Sequence, residues 1–96
     1  IIKSGGYKIS ALEIEDVLLR HPKIKECAVV GIADQKWGEL VAVALCSSEN
    51  LTLEEIQTWS LDFLSDYKTP RNLKIFEELP KNAMGKVVKT EIKKLF

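Results

Sequence analysis

Two short apolar runs joined by a polar turn constrain the fold of this chain more than any other feature. Residues from about Glu26 to Ala33 and from about Leu40 to Ser47 are rich in valine and isoleucine, and Asp34 to Gly38 connects them. Runs of this length, β-branched and bounded by turn residues, read as strands, and the short connection makes them two paired central strands. Leu73-Lys74-Ile75-Phe76 alternates well enough to supply a third.

Helices fit around these strands. Ser10-Ala11-Leu12-Glu13 and Thr52-Leu53-Glu54-Glu55 both have the form of a capping box, in which the hydroxyl takes a first-turn amide and the glutamate reaches back to the cap. The first helix presents Leu12, Ile14, Val17 and Leu18 and ends near Arg20-His21, before Pro22; His21 reads as a last-turn cation or polar cap. The second spans roughly Leu53 to Asp66, with Leu53, Ile56, Trp59, Phe63 and Leu64 at helical spacing and Trp59 in the core; Pro70 breaks the chain after it. Thr90 to Phe96 reads as a short terminal helix. The expected class is α+β: about three central strands plus an N-terminal hairpin, flanked by two or three helices.

Ninety-six residues make one domain with one modest core. Fourteen basic residues balance fourteen acidic ones, without the basic excess or stripe of a nucleic-acid-binding module. No apolar run approaches the roughly 20 residues that span a bilayer, and no signal-peptide pattern is present. Cys27 and Cys46 lie inside apolar runs, where they read as buried free thiols; they have no metal-site spacing.

Two glycine-containing segments carry the chemistry. Pro80-Lys81-Asn82-Ala83-Met84-Gly85-Lys86 puts a lysine behind a glycine that can take positive φ, on a loop that can deliver it to a phosphate. It is not a phosphate-cradling P-loop, which needs a glycine where Pro80 stands and Ser or Thr where Val87 stands. Lys86 otherwise reads as a solvated member of the set Lys81, Lys89, Lys93 and Lys94. Gly5 and Gly6 weaken a strand unless something must approach the backbone closely; a plain hairpin bend is the competing reading. Lys3 and Lys8 flank them and read on their own as surface charge, and Tyr7 reads as packing. Trp37, in a polar turn with little apolar company, offers a stacking surface.

The lysine loop resembles the last core motif of the adenylate-forming enzymes: acyl-CoA synthetases, aryl-CoA ligases, luciferases and peptide-synthetase adenylation domains. Lys3-Ser4-Gly5-Gly6-Tyr7-Lys8-Ile9-Ser10, followed by Glu13 and Glu15, resembles the motif that opens their small C-terminal domain. His21-Pro22, Trp37-Gly38-Glu39 and Tyr67-Lys68-Thr69-Pro70 extend the likeness over essentially all 96 residues. In wording the chain is nearest to malonyl-CoA synthetases and other short- or medium-chain acyl-CoA synthetases.

The resemblance implies an acid-thiol ligase that forms an acyl-adenylate from ATP and a carboxylic acid, then an acyl-CoA, with Mg²⁺ and coenzyme A. It makes Lys86 the adenylation lysine and Gly85 its loop hinge. Gly5, Gly6, Tyr7 and Trp37 would line the coenzyme A tunnel, with Trp37 either stacking on adenine or packing on the partner domain, and Lys3 and Lys8 would meet nucleotide phosphates or stand as surface charge. No residue is implied as a metal ligand. The chain, residues 1–96, would be the mobile C-terminal domain, inactive alone, whose partner is its own N-terminal domain; the hinge would precede Ile1. The setting implied is intracellular, cytoplasm or an organelle such as the mitochondrion. An adenylation domain that loads a carrier protein and a non-catalytic interaction domain are the alternatives.

Overall fold

The computed structural model describes residues 1–96. In order these form β1 (Ile2–Ser4), β2 (Tyr7–Ile9), α1 (Ala11–Leu18), β3 (Ile24–Asp34), β4 (Gly38–Ser47), α2 (Leu53–Ser60), a 3₁₀ turn (Asp66–Lys68), β5 (Asn72–Ile75) and α3 (Lys89–Lys94). One five-stranded sheet runs β2-β1-β4-β3, with β5 also paired to β4. The pairings are antiparallel except that of β5, which lies parallel to β4 from Ala42↔Asn72 to Leu45↔Ile75. The class is α+β, with the central hairpin and the third strand as the sequence predicts.

The two central strands are continuous apolar runs because both sheet faces are covered. Val29, Val41, Val43 and Leu45 join Ile14, Leu18 and Ile56 of the helices in one core. Their neighbours Ala28, Val30, Ala42, Ala44 and Cys46 point the other way, onto Leu79 and Ile92. Alanines on this second face let α3 and the chain before it lie close to the backbone. Leu45 is fully buried in the larger core, so Leu45→Ala is expected to cost about 2–5 kcal/mol in a denaturant titration. A change below about 1 kcal/mol would mean that the core closes around the gap.

The helices differ from expectation in instructive ways. Thr52 and Glu55 form the full capping box. At α1 the Ser10 hydroxyl accepts the Glu13 N–H at 3.3 Å, but the Glu13 carboxylate does not return to the cap; it pairs with Lys68 at 2.9 Å, across 55 residues of sequence. Leu12, placed on the apolar face by its spacing, is 70% exposed. Helix α2 stops at Ser60 rather than Asp66. The buried Ser60 hydroxyl bonds back to the Ile56 carbonyl at 2.7 Å, a contact that disturbs helices, and the next amides tighten into Asp62→Trp59 and Phe63→Ser60 bonds. Phe63 is consequently left half-exposed, and Trp59 packs only partly buried against the core. His21 neither caps nor pairs as a cation: its Nδ1 accepts the Lys23 N–H at 3.1 Å and its ring rests on Trp59.

Cys46 is buried, but Cys27 is only partly so. Burial and the nearby Glu15 carboxylate push the Cys27 thiol up to about 12. Glu15 braces the edge of the sheet, accepting the Val29 N–H at 2.8 Å and pairing with Lys89 at 3.0 Å. No helix is long and apolar enough to cross a membrane.

Candidate functional site

The residues singled out in the sequence separate into two groups at opposite ends of the β3–β4 ribbon. The first group surrounds the tip of the N-terminal hairpin. The register Ile2↔Ile9, Lys3↔Lys8, Ser4↔Tyr7 leaves Gly5-Gly6 as a two-residue turn, with φ of 56° and 86°. Positive φ at both positions is the type I′ geometry whose twist matches the flanking strands. Gly5 N–H donates to the Trp37 carbonyl at 2.9 Å, and a Cβ on Gly5 would meet indole Cε3 at 3.0 Å. Trp37 therefore lies on the backbone of Gly5, whereas the space beside Gly6 is open to 4 Å.

The Trp37 turn is fixed by Asp34, whose Oδ2 accepts the Lys36 and Trp37 N–H groups at 3.0 and 2.8 Å. Glu39 continues the brace by accepting the Lys3 N–H at 2.9 Å. The indole remains 48% exposed. A cleft of about 500 Å³ opens beside it, lined by Gly5, Tyr7, Trp37, Tyr67 and Arg71 among others. Tyr7 stacks on Tyr67 with ring centroids 4.1 Å apart and planes 19° from parallel.

Tyr67 and Arg71 are the residues that the sequence reading missed here. Tyr67 rides on the 3₁₀ turn, which the Lys68–Glu13 pair ties to α1 and the Arg71 guanidinium ties to Asp66 at 3.3 Å. The Tyr67-Lys68-Thr69-Pro70 string was visible, but nothing local says that it crosses 60 residues to meet Tyr7.

Lys3 and Lys8 are cross-strand partners, both exposed, and neither joins any of the six ion pairs. Like charges facing one another on a hairpin repel, and an anion between them would relieve that repulsion.

The second group is the Lys86 loop. Lys81 and Val87 form an isolated antiparallel bridge. Inside it, Asn82 N–H donates to the Lys86 carbonyl at 2.9 Å and Gly85 N–H to the Asn82 carbonyl at 3.0 Å. Gly85 has φ of 81°, the left-handed position that closes a three-residue hairpin loop. Gly85, expected as a hinge, therefore lies in a formed, hydrogen-bonded turn. The loop is moored to the start of β3 by a Lys81–Glu26 ion pair at 2.6 Å, whose hydrogen bond raises the Lys81 pKa. Lys86 is exposed and its ammonium has no ion-pair or hydrogen-bond partner.

Glu26 at one end and Asp34 at the other lie eight residues apart on β3, about 26 Å at the usual strand rise. The longest dimension of the chain is 34 Å. The lysine loop and the glycine-tryptophan cleft therefore cannot serve one point in space at once. No group of His, Cys, Asp and Glu side chains is gathered closely enough to hold a metal ion.

Comparison with known proteins gives this arrangement a family. The AMP-binding enzyme C-terminal domain matches residues 13–86. A malonate–CoA ligase of Arabidopsis thaliana is 47% identical over 98% of the chain and 17% of its own length. The fatty acyl CoA synthetase of Mycobacterium tuberculosis superposes with a TM-score of 0.92 at 33% identity, over 99% of the chain and 19% of that protein. The o-succinylbenzoate CoA synthetase of Bacillus subtilis, solved with its acyl-adenylate intermediate, superposes at 0.89 with 34% identity, over 96% of the chain and 19% of that protein. The chain thus spans about a fifth of the length of such relatives. It belongs to the family of C-terminal domains of AMP-binding, adenylate-forming enzymes.

Proposed function

We propose that this chain is the mobile domain of an AMP-forming acid-thiol ligase. The full-length enzyme would join ATP and a carboxylic acid into an acyl-adenylate, then pass the acyl group to coenzyme A. The observation that carries the reading is an exposed, unpartnered Lys86 on a closed hairpin at the far end of β3 from the Gly5–Trp37 cleft.

Adenylation spreads negative charge over the α-phosphoryl oxygens as the carboxylate attacks and pyrophosphate leaves. An ammonium brought to those oxygens, with no internal partner to give up, stabilises that charge by Coulomb attraction and hydrogen bonding. Thioester formation needs different groups: an open passage beside Gly6, a flat surface for adenine at Trp37 and cations for the nucleotide phosphates at Lys3 and Lys8. Rotation of one rigid chain about a hinge exchanges the two ends. The ATP phosphate loop, the acid pocket and the groups that hold Mg²⁺ belong to the larger N-terminal domain of the same protein, inside the cell in cytoplasm or organelle.

The relatives named for malonate put small acids first among candidate substrates. The test is pyrophosphate release and acyl-CoA production by the full-length protein with ATP, Mg²⁺, coenzyme A and acids from acetate and malonate to long-chain and aromatic ones. Acid-dependent release with thioester product is expected. Release only with amino acids, or with none of the acids, would contradict the ligase reading.

A further inference from the structure

Asn82 makes four hydrogen bonds within the lysine loop. Its Oδ1 accepts two amides, Met84 N–H at 2.9 Å and Lys86 N–H at 3.1 Å. Its own N–H donates to the Lys86 carbonyl at 2.9 Å, and its carbonyl accepts from Gly85 at 3.0 Å. Both backbone polar groups of Lys86 are thus bonded to this one residue. In an ordinary hairpin the Lys86 amide would pair with a carbonyl. Here the left-handed Gly85 turns that amide inward, and the Asn82 side chain takes it.

We infer that Asn82 is a positioning residue for Lys86, fixing the loop backbone before any substrate arrives. The inference rests on the assignment of Lys86 to adenylation, and goes beyond it in naming what holds the lysine. The surroundings leave this duty to Asn82 alone. Ala83, Met84 and Gly85 are exposed, and a Cβ on Gly85 would meet nothing within 4 Å beyond its chain neighbours. No packing therefore holds the tip in shape. The Lys81–Glu26 pair moors the base of the loop, not its tip. A side chain that accepts from two amides replaces packing with geometry, as in the Asx turns that asparagine and aspartate form.

The consequence is kinetic. Alanine at position 82 leaves the Met84 and Lys86 amides to water, which costs a solvent-exposed loop little stability. The loop then samples conformations in which the lysine base is displaced, and a displacement of about 1 Å at a reacting group can cost about 100-fold in rate. Aspartate supplies an acceptor at the same place and keeps the turn.

The test uses the full-length enzyme, with malonate, ATP and Mg²⁺ for adenylate formation, and supplied malonyl-adenylate with coenzyme A for thioester formation. Asn82→Ala is expected to lower kcat of the first step about 10- to 100-fold, with KM for malonate and ATP within about twofold. The second step should be unchanged, and Asn82→Asp should restore most of the first. Because Asn82 acts only through Lys86, the double variant Asn82→Ala/Lys86→Ala should be no slower than Lys86→Ala alone. An Asn82→Ala enzyme with wild-type adenylation beside an inactive Lys86→Ala overturns the inference and leaves the lysine assignment standing. Equal loss of both steps, or additive loss in the double variant, also overturns it. Full adenylation by Lys86→Ala instead removes the lysine assignment itself.

Discussion

Replacing Lys86 by alanine in the full-length enzyme is expected to slow acid-dependent adenylate formation by about 10²–10³-fold, the scale of losing one preorganised donor to a developing oxyanion. Thioester formation from supplied acyl-adenylate should stay within a few-fold of the unaltered enzyme. The separation follows from position. Lys86 is exposed and bonded through its backbone alone, so truncating its side chain leaves the loop, the mooring pair and the core in place. Exposed substitutions of this kind usually change stability by less than about 0.5 kcal/mol, so unfolding cannot account for a loss of hundreds-fold. Loss of both half-reactions together would place Lys86 in a structural role.

Gly6→Leu is expected to give the opposite pattern. Gly6 has φ of 86°, which a side chain adopts only at a cost of about 1–2 kcal/mol. The structure has room for the added atoms, since nothing lies within 4 Å of a Cβ there. In the isolated chain the substitution therefore carries backbone strain but no clash. Bulk matters only if something passes beside that turn during catalysis. If the pantetheine arm of coenzyme A does, leucine narrows its path, and overpacking of about 1–3 kcal/mol translates into about 5- to 150-fold slower thioester formation. Adenylation should be close to unchanged. Gly6→Ala separates the causes, because it introduces the strain without the bulk. Alanine and leucine variants of equal rate would remove the passage from beside Gly6.

How much of this was legible without coordinates differs by element. The central hairpin could be read because the Val/Ile-rich runs and their turn are local, and the Thr52 box because its partner is three residues away. The Ser10 box was half right: Glu13 had a better electrostatic partner in Lys68, which no local pattern exposes. Phe63 and Leu64 continue the helical spacing of α2, yet the buried Ser60 ends the helix first. Leu12 was misassigned because a spacing argument ranks positions on a wheel without knowing how wide the covered stripe is.

The site divides in the same way. Lys86, Gly5 and Trp37 could be singled out as candidates from short motifs, since a lysine behind a glycine, a glycine pair between strands and an indole in a polar turn are local features. The Tyr7–Tyr67 stack and the Arg71 wall of the cleft depend on the 3₁₀ turn crossing to the N-terminal hairpin, a tertiary fact. The network of Asn82 was open to reading, because Asn followed by a glycine three residues later is turn chemistry.

In the proposed mechanism the two ends of one small chain serve two successive reactions. Its most direct test is the ratio of the two half-reaction rates, measured in parallel for the unaltered enzyme, Lys86→Ala and Gly6→Leu. A crossed result is expected, with adenylation lost relative to thioester formation in the first variant and the reverse in the second, each by at least about tenfold. Ratios that stay constant while both rates fall would contradict it, and would make both positions supports of a single site.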